Sequence, residues 1–252
     1  MVSFALNGKV ALINGASRGI GEAAAILLAQ QGAACVLTSR RIEGVAAVQE
    51  KIVARGGRAE AAVCHMGDLA QVRRICRDVA AAWGRLDILV NNAATNPYFG
   101  EMLGAPESAW EKTVAVNLRG PFFMIQSAAP LMARGGGGSI VNVASINGVS
   151  PAPLQGIYSI TKAGVIAMTK AYAKELAPLN IRVNALLPGL TATKFSEALI
   201  RDPAIYSEAL KRIPLRRHAL PEEMAGAVLY LASEASSFTT GAAIVCDGGA
   251  LA

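Results

Sequence analysis

The chain has 252 residues, 53% of them hydrophobic and 17% charged, and carries a formal net charge of +6. That is ample for a full-sized core, and no apolar run reaches the roughly 18 residues of a spanning helix, so a membrane partner is not expected. The basic residues are scattered, the densest group being "RIPLRRH" at 212–218, which speaks against nucleic acid and for a mildly basic protein attracting small anions.

An apolar strand is expected at residues 10–14 ("VALIN"), running straight into a turn with Gly15, Gly19 and Gly21 and a helix over 20–31. A second strand at 35–39 leads through Arg40 and Arg41 to a helix over 43–55. The third strand, 59–64, is followed by Asp68 and a helix over 69–83, and the fourth, 86–91, runs into "NNAA". Helices over 107–115 and 121–134 bracket Asn117, and a glycine run then turns into a fifth strand at 139–145, ending on Ser145. A helix over 157–177 opens on "YSITK", a sixth strand covers 181–187, and a helix over 222–233 precedes a seventh strand at 241–247. Such alternation predicts an α/β fold: a single doubly wound Rossmann domain over 1–252, with a mostly parallel seven-stranded sheet. Residues 189–220 hold two short amphipathic pieces broken by Pro203 and Pro214, which predicts a helical substrate lid over the ligand edge.

Cys35, Cys64, Cys76 and Cys246 form no C-x-x-C pair, and His65 points away from its neighbour Cys64 on a strand, so reduced thiols and no metal site are expected. The first residues lack the basic-then-apolar pattern of a signal peptide, and "DGGALA" carries no retention address; a cytoplasmic location is expected.

Glycine tolerates positive φ and admits a phosphate close to the backbone, while a helix N-terminus supplies free N–H groups and partial positive charge. The G-x3-G-x-G spacing at the first strand-to-helix turn therefore suits a dinucleotide, although it is not the G-x-G-x-x-G fingerprint. Tyr158 and Lys162 stand at i and i+4, on one helix face. A phenol with a pKa of about 10 is a poor acid or base at neutrality; an adjacent ammonium and an oxidised nicotinamide are expected to bring it down towards the working range. Ser145 is suited to holding a substrate oxygen by a hydrogen bond.

G-x3-G-I-G, "NNAA" (91–94), Asn117, Ser145, Tyr158-x3-Lys162 and "PG" (188–189) stand in the order and at the spacing of the short-chain dehydrogenase/reductase family, which the chain resembles over nearly its whole length. Within it, residues 91–100 and 176–195 are similar to the NADP-dependent carbonyl reductase/retinol dehydrogenase branch. The resemblance implies hydride exchange between NADP(H) and a small-molecule carbonyl or alcohol, with Asn117, Ser145, Tyr158 and Lys162 as the catalytic set and Asn117 keeping a water chain connected to Lys162. It implies cofactor contacts from Gly15, Ser17, Arg18, Gly19, Ile20 and Gly21, then Ser39 and Arg40. Further contacts fall to Asp68 and Leu69, Asn91 and Ala93, and Pro188, Gly189, Thr191 and Thr193, with Tyr158 and Lys162 at the nicotinamide ribose. Asp68 is equally suited to capping the helix behind it. Asn14 and Ala94 depart from the family's Thr and Gly, which leaves the reaction class intact.

In folds of this kind an acid at the end of the second strand grips the adenine ribose. Ser39 removes the repulsion an acid would exert on a 2′-phosphate, and Arg40, with Arg18 opposite, offers a planar fork that suits one. Tyr98, Asn147, Leu154, Phe195 and Tyr206 are the expected substrate residues, lining a pocket for apolar or aromatic ketones. Arg216 and Arg217 keep a 3-oxoacyl-acyl-carrier-protein reductase open as the alternative enzyme, and an NADP-binding sensor or structural protein stands as the non-enzymatic one. The resemblance also implies a homotetramer, for which Ala163, Ala167, Ala171 and Ala173 offer a close-packing helix face.

Overall fold

The computed structural model describes residues 2–252, the side chain of Ala198 excepted. Its seven strands are β1 Val10–Asn14, β2 Ala34–Ser39, β3 Arg58–Val63, β4 Ile88–Asn91, β5 Gly138–Val143, β6 Ile181–Pro188 and β7 Ala243–Cys246. Every pairing is parallel and the order is β3-β2-β1-β4-β5-β6-β7, so the "mostly parallel" sheet is wholly parallel among the described residues. The order reverses between β1 and β4, which opens a crevice at the carboxyl ends of the strands.

Helices α1 Gly19–Gln30, α2 Ile42–Val53, α3 Leu69–Trp83, α4 Glu107–Val114, α5 Gly120–Arg134, α6 Gly156–Leu176, α7 Glu197–Arg201, α8 Pro203–Lys211 and α9 Pro221–Ala232 fill the connections. Alternate strand residues divide two apolar layers. Leu12, Val36, Leu89 and Ile140 face α3, α5 and α6. Ala11, Ile13, Leu37, Val90 and Val141 face α1, α2 and α9. Central strands covered on both faces are continuous apolar runs for this reason. Among the described residues no helix is long and apolar enough to cross a membrane.

Three local features differ from expectation. The fourth strand starts at Ile88 rather than 86, because Asp87 is an anchor: its carboxylate accepts from Val10 N (2.9 Å) and from Arg85. The helices expected to bracket Asn117 are joined by a π-helical turn, Ala115–Arg119, whose wide loop carries the chain into Gly120 and Pro121 without a break. The segment 189–220 contains α7 and α8, the latter capped by Asp202, which accepts from Ala204 N and Ile205 N. Its two ends are tied by a bridge between Thr191 and Ala219.

Leu89 is fully buried at the centre of the sheet. Leu89→Ala is expected to lower unfolding free energy by about 2–5 kcal/mol, measured by urea denaturation; a loss under about 1 kcal/mol would show a more collapsible core.

Candidate active site

The strand ends and the loops that follow them converge on one crevice. Gly15, just past β1, has φ +74°, and its N–H donates to Thr38 O at 2.8 Å. A Cβ there would lie 2.7 Å from Ala93 Cα, so the turn after β1 presses directly on the loop after β4. Gly21 is equally constrained: a Cβ would collide with Gly15 O and with Asn92 Nδ2, which itself donates to Gly15 O at 2.9 Å. Gly19, at φ +59°, sits under Thr193, whose methyl would be 3.1 Å from its Cβ. The turn is thus a backbone cradle, with Ser17, Arg18 and Ile20 between its glycines and the α1 N-terminus opening into it. Gly44 lets α2 approach Ser17 closely, since a Cβ there would stand 2.7 Å from Ser17 Cβ.

At the end of β2 the Ser39 hydroxyl turns back on its own chain, donating to Arg41 O at 2.5 Å and accepting from Arg41 N at 3.3 Å. It shapes the start of α2 instead of projecting into the crevice, a local bond that serine favours at such turns. Arg18, Arg40 and Arg41 are exposed and make no ion pair among the described residues. Asp68 caps α3 just before Leu69, accepting from Ala70 N (2.9 Å) and Gln71 N (3.2 Å) with one oxygen and from Gln71 Nε2 (2.9 Å) with the other. These bonds, Gln71 N first, hold its carboxyl below the usual range.

On the other side of the crevice, Ser145 follows β5 and accepts from Asn147 N at 3.1 Å. Tyr158 and Lys162 lie in the first two turns of α6, both buried from water on the Ser145 side. Burial pushes the Tyr158 phenol up to about 12, and its hydrogen bond with Ser145 pulls the other way. Burial brings the Lys162 ammonium down to about 8. Lys162 Nζ donates to Val143 O at 2.7 Å and stands 5.6 Å from the centre of the Tyr158 ring. In the protein alone desolvation dominates the phenol, and Ser145 supplies the opposing pull.

Asn117 sits in the π turn. Its side chain accepts from Thr95 N (2.8 Å) and donates to Thr95 O (2.9 Å) and Thr161 Oγ1 (3.2 Å). The amide is thereby spent on the β4 loop and α6, so any link to Lys162 runs through its backbone or through water. Pro188 ends β6; Gly189 N donates to Cys246 O at 2.9 Å, and Thr191 Oγ1 donates to Gly189 O at 3.1 Å. Thr193 is held by Ser196, whose Oγ accepts from Thr193 N at 3.2 Å and donates to Thr191 O.

The five expected substrate residues divide. Phe195 packs on Tyr158 with ring centres 5.2 Å apart. Leu154 adopts φ +63° and accepts from Gly100 N at 2.9 Å, lashing the β5–α6 loop to the β4 loop. Asn147 serves Ser145 with its N–H and reaches Gln155 Oε1 at 3.4 Å with its amide. Tyr98 turns its hydroxyl to Glu101 O at 2.7 Å. The Tyr206 hydroxyl meets His218 Nδ1 at 2.6 Å, a bond within the 189–220 segment and not a free donor into the crevice. Residues not singled out from sequence also take part. Asn92 braces the glycine turn, Ser196 shapes the segment above it, and Met102 lies against Gly156 two residues before Tyr158. Asn92 was legible as the second half of the "NN" pair; Met102 carried no signal.

A family model described as Enoyl-(Acyl carrier protein) reductase matches residues 15–250. The chain is 39% identical over 246 residues to Dehydrogenase/reductase SDR family member 4 of Bos taurus, covering 98% of this chain and 88% of that protein. It is 41% identical over 244 residues to the 3-oxoacyl-acyl-carrier-protein reductase FabG of Thermotoga maritima, covering 97% and 98%. The structure of a gluconate 5-dehydrogenase from Burkholderia cenocepacia J2315, in complex with NADP and tartrate, superposes with a TM-score of 0.94 at 35% identity over 98% of this chain and 97% of that one.

The buried lysine makes stability pH-dependent. Between about 8 and its ordinary 10.5 the unfolded chain holds the Lys162 proton and the folded chain releases it, so stability rises with pH across that window. Tyr158 acts oppositely and later: its contribution is complete below 10 and is lost as pH climbs towards about 12. Lys162→Met is expected to flatten the rise between pH 8 and 10 in urea midpoints; an unchanged slope would contradict the depressed value.

Proposed function

The chain belongs to the short-chain dehydrogenase/reductase family, and on that premise we propose that it is an NADPH-dependent reductase of apolar ketones and aldehydes, reversible as an alcohol dehydrogenase. The observation that carries this is the buried Ser145–Tyr158–Lys162 group with Phe195 packed on the phenol, across the crevice from a glycine cradle.

The cradle suits a dinucleotide: Gly15 and Gly21 let the turn pack tightly on Ala93, Asn92 and its own backbone, and the α1 N-terminus opens beside it, where a phosphate is favoured. A bound reduced nicotinamide supplies the hydride. Ser145 holds the carbonyl oxygen, and Tyr158, a neutral phenol at physiological pH, donates the proton from Oη. Lys162, with its pKa brought to about 8, lies behind the phenol and replaces that proton near neutrality. Asn117 keeps the π turn against α6 through Thr161, which holds the lysine's helix in place.

NADP is favoured over NAD by three observations. Ser39 replaces the ribose-gripping acid, Arg18 and Arg40 are exposed without an ion-pair partner among the described residues, and the gluconate 5-dehydrogenase structure carries NADP. The apolar preference rests on Phe195, packed on the Tyr158 ring, and on the partly exposed Met102 and Leu154, which lie at and just before the start of α6. They suit an apolar ketone better than a polyhydroxy acid. The 41% identity to a 3-oxoacyl-acyl-carrier-protein reductase keeps that second reading alive. Arg217, however, is committed to Glu223 through two bonds of 2.7 and 2.6 Å, which leaves Arg216 alone of the pair without an ion-pair partner among the described residues for an acidic carrier. Retention of both Tyr158 and Lys162 favours an enzyme over a sensor.

A homotetramer is part of the same reading. Ala163, Ala167 and Ala171 form an exposed stripe on α6, beside exposed Ile160; Ala173 is buried in the chain's own core and drops out of that stripe. Free cysteines suit a reducing cytoplasm.

Tyr158→Phe is expected to lower kcat by at least about 10³-fold while NADPH binding, followed by fluorescence, stays within about threefold; near-normal turnover sinks the assignment. Arg40→Asp is expected to reverse the preference between NADPH and NADH in kcat/KM. A wild type that already favours NADH removes the NADP reading and leaves the reductase. A panel of aryl ketones against 3-oxoacyl thioesters separates the two substrate classes.

A further inference from the structure

We propose that Thr38, Asn14, Asn91, Asn142 and Thr169 form one positioning strut that holds the catalytic helix α6 at a set distance from the dinucleotide turn; the proposal rests on the reductase reading. The first four are register partners in adjacent strands: Asn14 pairs with Thr38 and Asn91, and Asn91 with Asn142. All five are buried, none more than 5% exposed.

Their side chains bond head to tail. Thr38 Oγ1 donates to Asn14 Oδ1 (2.8 Å), Asn14 Nδ2 to Asn91 Oδ1 (3.1 Å), and Asn91 Nδ2 to Asn142 Oδ1 (3.0 Å). Asn142 Nδ2 then leaves the sheet for Thr169 Oγ1 (3.0 Å), and Thr169 donates to Val165 O (2.8 Å) on α6. Every donor points the same way, so each bond polarises the next, and none of these side-chain N or O atoms is buried without a partner. Breaking one rung leaves its neighbours with buried, unpaired groups.

The chain neighbours of these residues give the row its purpose. Asn14 precedes Gly15 of the cradle, Thr38 precedes Ser39, and Asn91 precedes Asn92 and Ala93, which brace and abut Gly15. Asn142 precedes Val143, whose carbonyl accepts from Lys162. Thr169 lies seven residues beyond Lys162, two turns along the same face of α6. The row therefore begins under the adenine half of the crevice and ends on the helix that carries Tyr158 and Lys162. Sheet hydrogen bonds set strand spacing, but only the Asn142–Thr169 bond extends this row to α6. Asn14, where the family usually has threonine, is long enough to reach Asn91 while still accepting from Thr38. It is a positioning residue, as is Thr169.

The test uses Asn14→Leu, Thr169→Val and their double variant, with Thr169→Ser as the conservative control that keeps the hydroxyl. NADPH affinity by fluorescence and kcat and KM for a ketone are measured on protein verified as folded by circular dichroism. Thr169→Val, changed only on α6, is expected to weaken NADPH about fivefold and to lower kcat about tenfold with KM for the ketone nearly constant. Thr169→Ser is expected to restore both. The double variant is expected to lose no more than the worse single one, because one broken rung already disables the strut. Multiplying losses, or a Thr169→Val that melts earlier yet keeps NADPH affinity and kcat, would overturn the proposal and leave ordinary core packing. A wild type that binds NADPH but reduces no ketone removes the reductase reading alone, since the affinity arm still reads the strut. If both Asn14→Leu and Thr169→Val fail to fold, Asn14→Thr, too short to reach Asn91, carries the test beside Thr169→Ser: lower affinity and kcat in Asn14→Thr alone are expected, and an Asn14→Thr that matches the wild type in both overturns the proposal.

Discussion

Parallel pairing of all seven strands is the constraint from which the rest follows. It sends every strand's carboxyl end to the same edge, so residues separated by long stretches of the chain become neighbours. Gly15, Ser39, Asp68, Ala93, Ser145 and Gly189 each follow or end a different strand and meet only because of that shared direction. An antiparallel arrangement would have sent half of them to the opposite edge. The reversal of strand order between β1 and β4 then splays the connections apart and leaves the crevice between them. The chemistry is confined to loops and helix starts, while the continuous apolar runs beneath them supply rigidity.

Most of this frame was legible because two kinds of signal coincide. Short apolar runs mark strands buried on both faces, and the glycines and Tyr158-x3-Lys162 fall where those runs end. What was not legible depended on contacts between distant segments. Asn117 looked like a separator between two helices, but its amide bonds to Thr95 and Thr161 accompany a π turn that keeps the helix continuous. Tyr206 carried the right character for a substrate pocket, yet its hydroxyl is engaged by His218, twelve residues on. Ser39 was read through what it lacks, an acid, whereas its own hydroxyl bonds to the peptide of Arg41. Each of these is decided by which polar partner lies nearest in space, and residue type does not encode that.

Burial sets the electrostatics of the crevice more than any pair of charges does. Tyr158 and Lys162 both sit out of water, and burial moves them in opposite directions, the phenol towards about 12 and the ammonium towards about 8. Both shifts favour the uncharged form. The result is a phenol that keeps its proton at neutrality beside a lysine close to releasing one, which suits the reductive direction proposed for the site. A surface tyrosine would also keep its proton at neutrality, but a surface lysine would stay near 10.5, so what the buried start of α6 adds is the lysine's shift.

The same economy of charge distinguishes the two ends of the crevice. Arg18 and Arg40 stand exposed and without ion pairs among the described residues, around the α1 and α2 N-termini, where partial positive charge already gathers. At the other end Phe195 packs on Tyr158, Met102 lies against Gly156 at the start of α6, and Leu154 ties the loop before that helix to the β4 loop. On the proposed reading, a cofactor with an anionic tail and an apolar reacting partner would be oriented before any specific bond forms. The long-range pull acts on one end and desolvation on the other. Arg216 and Arg217 belong to neither end, because their guanidinium groups are already satisfied within the 210–223 segment. Arg217 is paired with Glu223 and contributes little field at a distance, whereas Arg216, held only by backbone carbonyls, keeps its full charge.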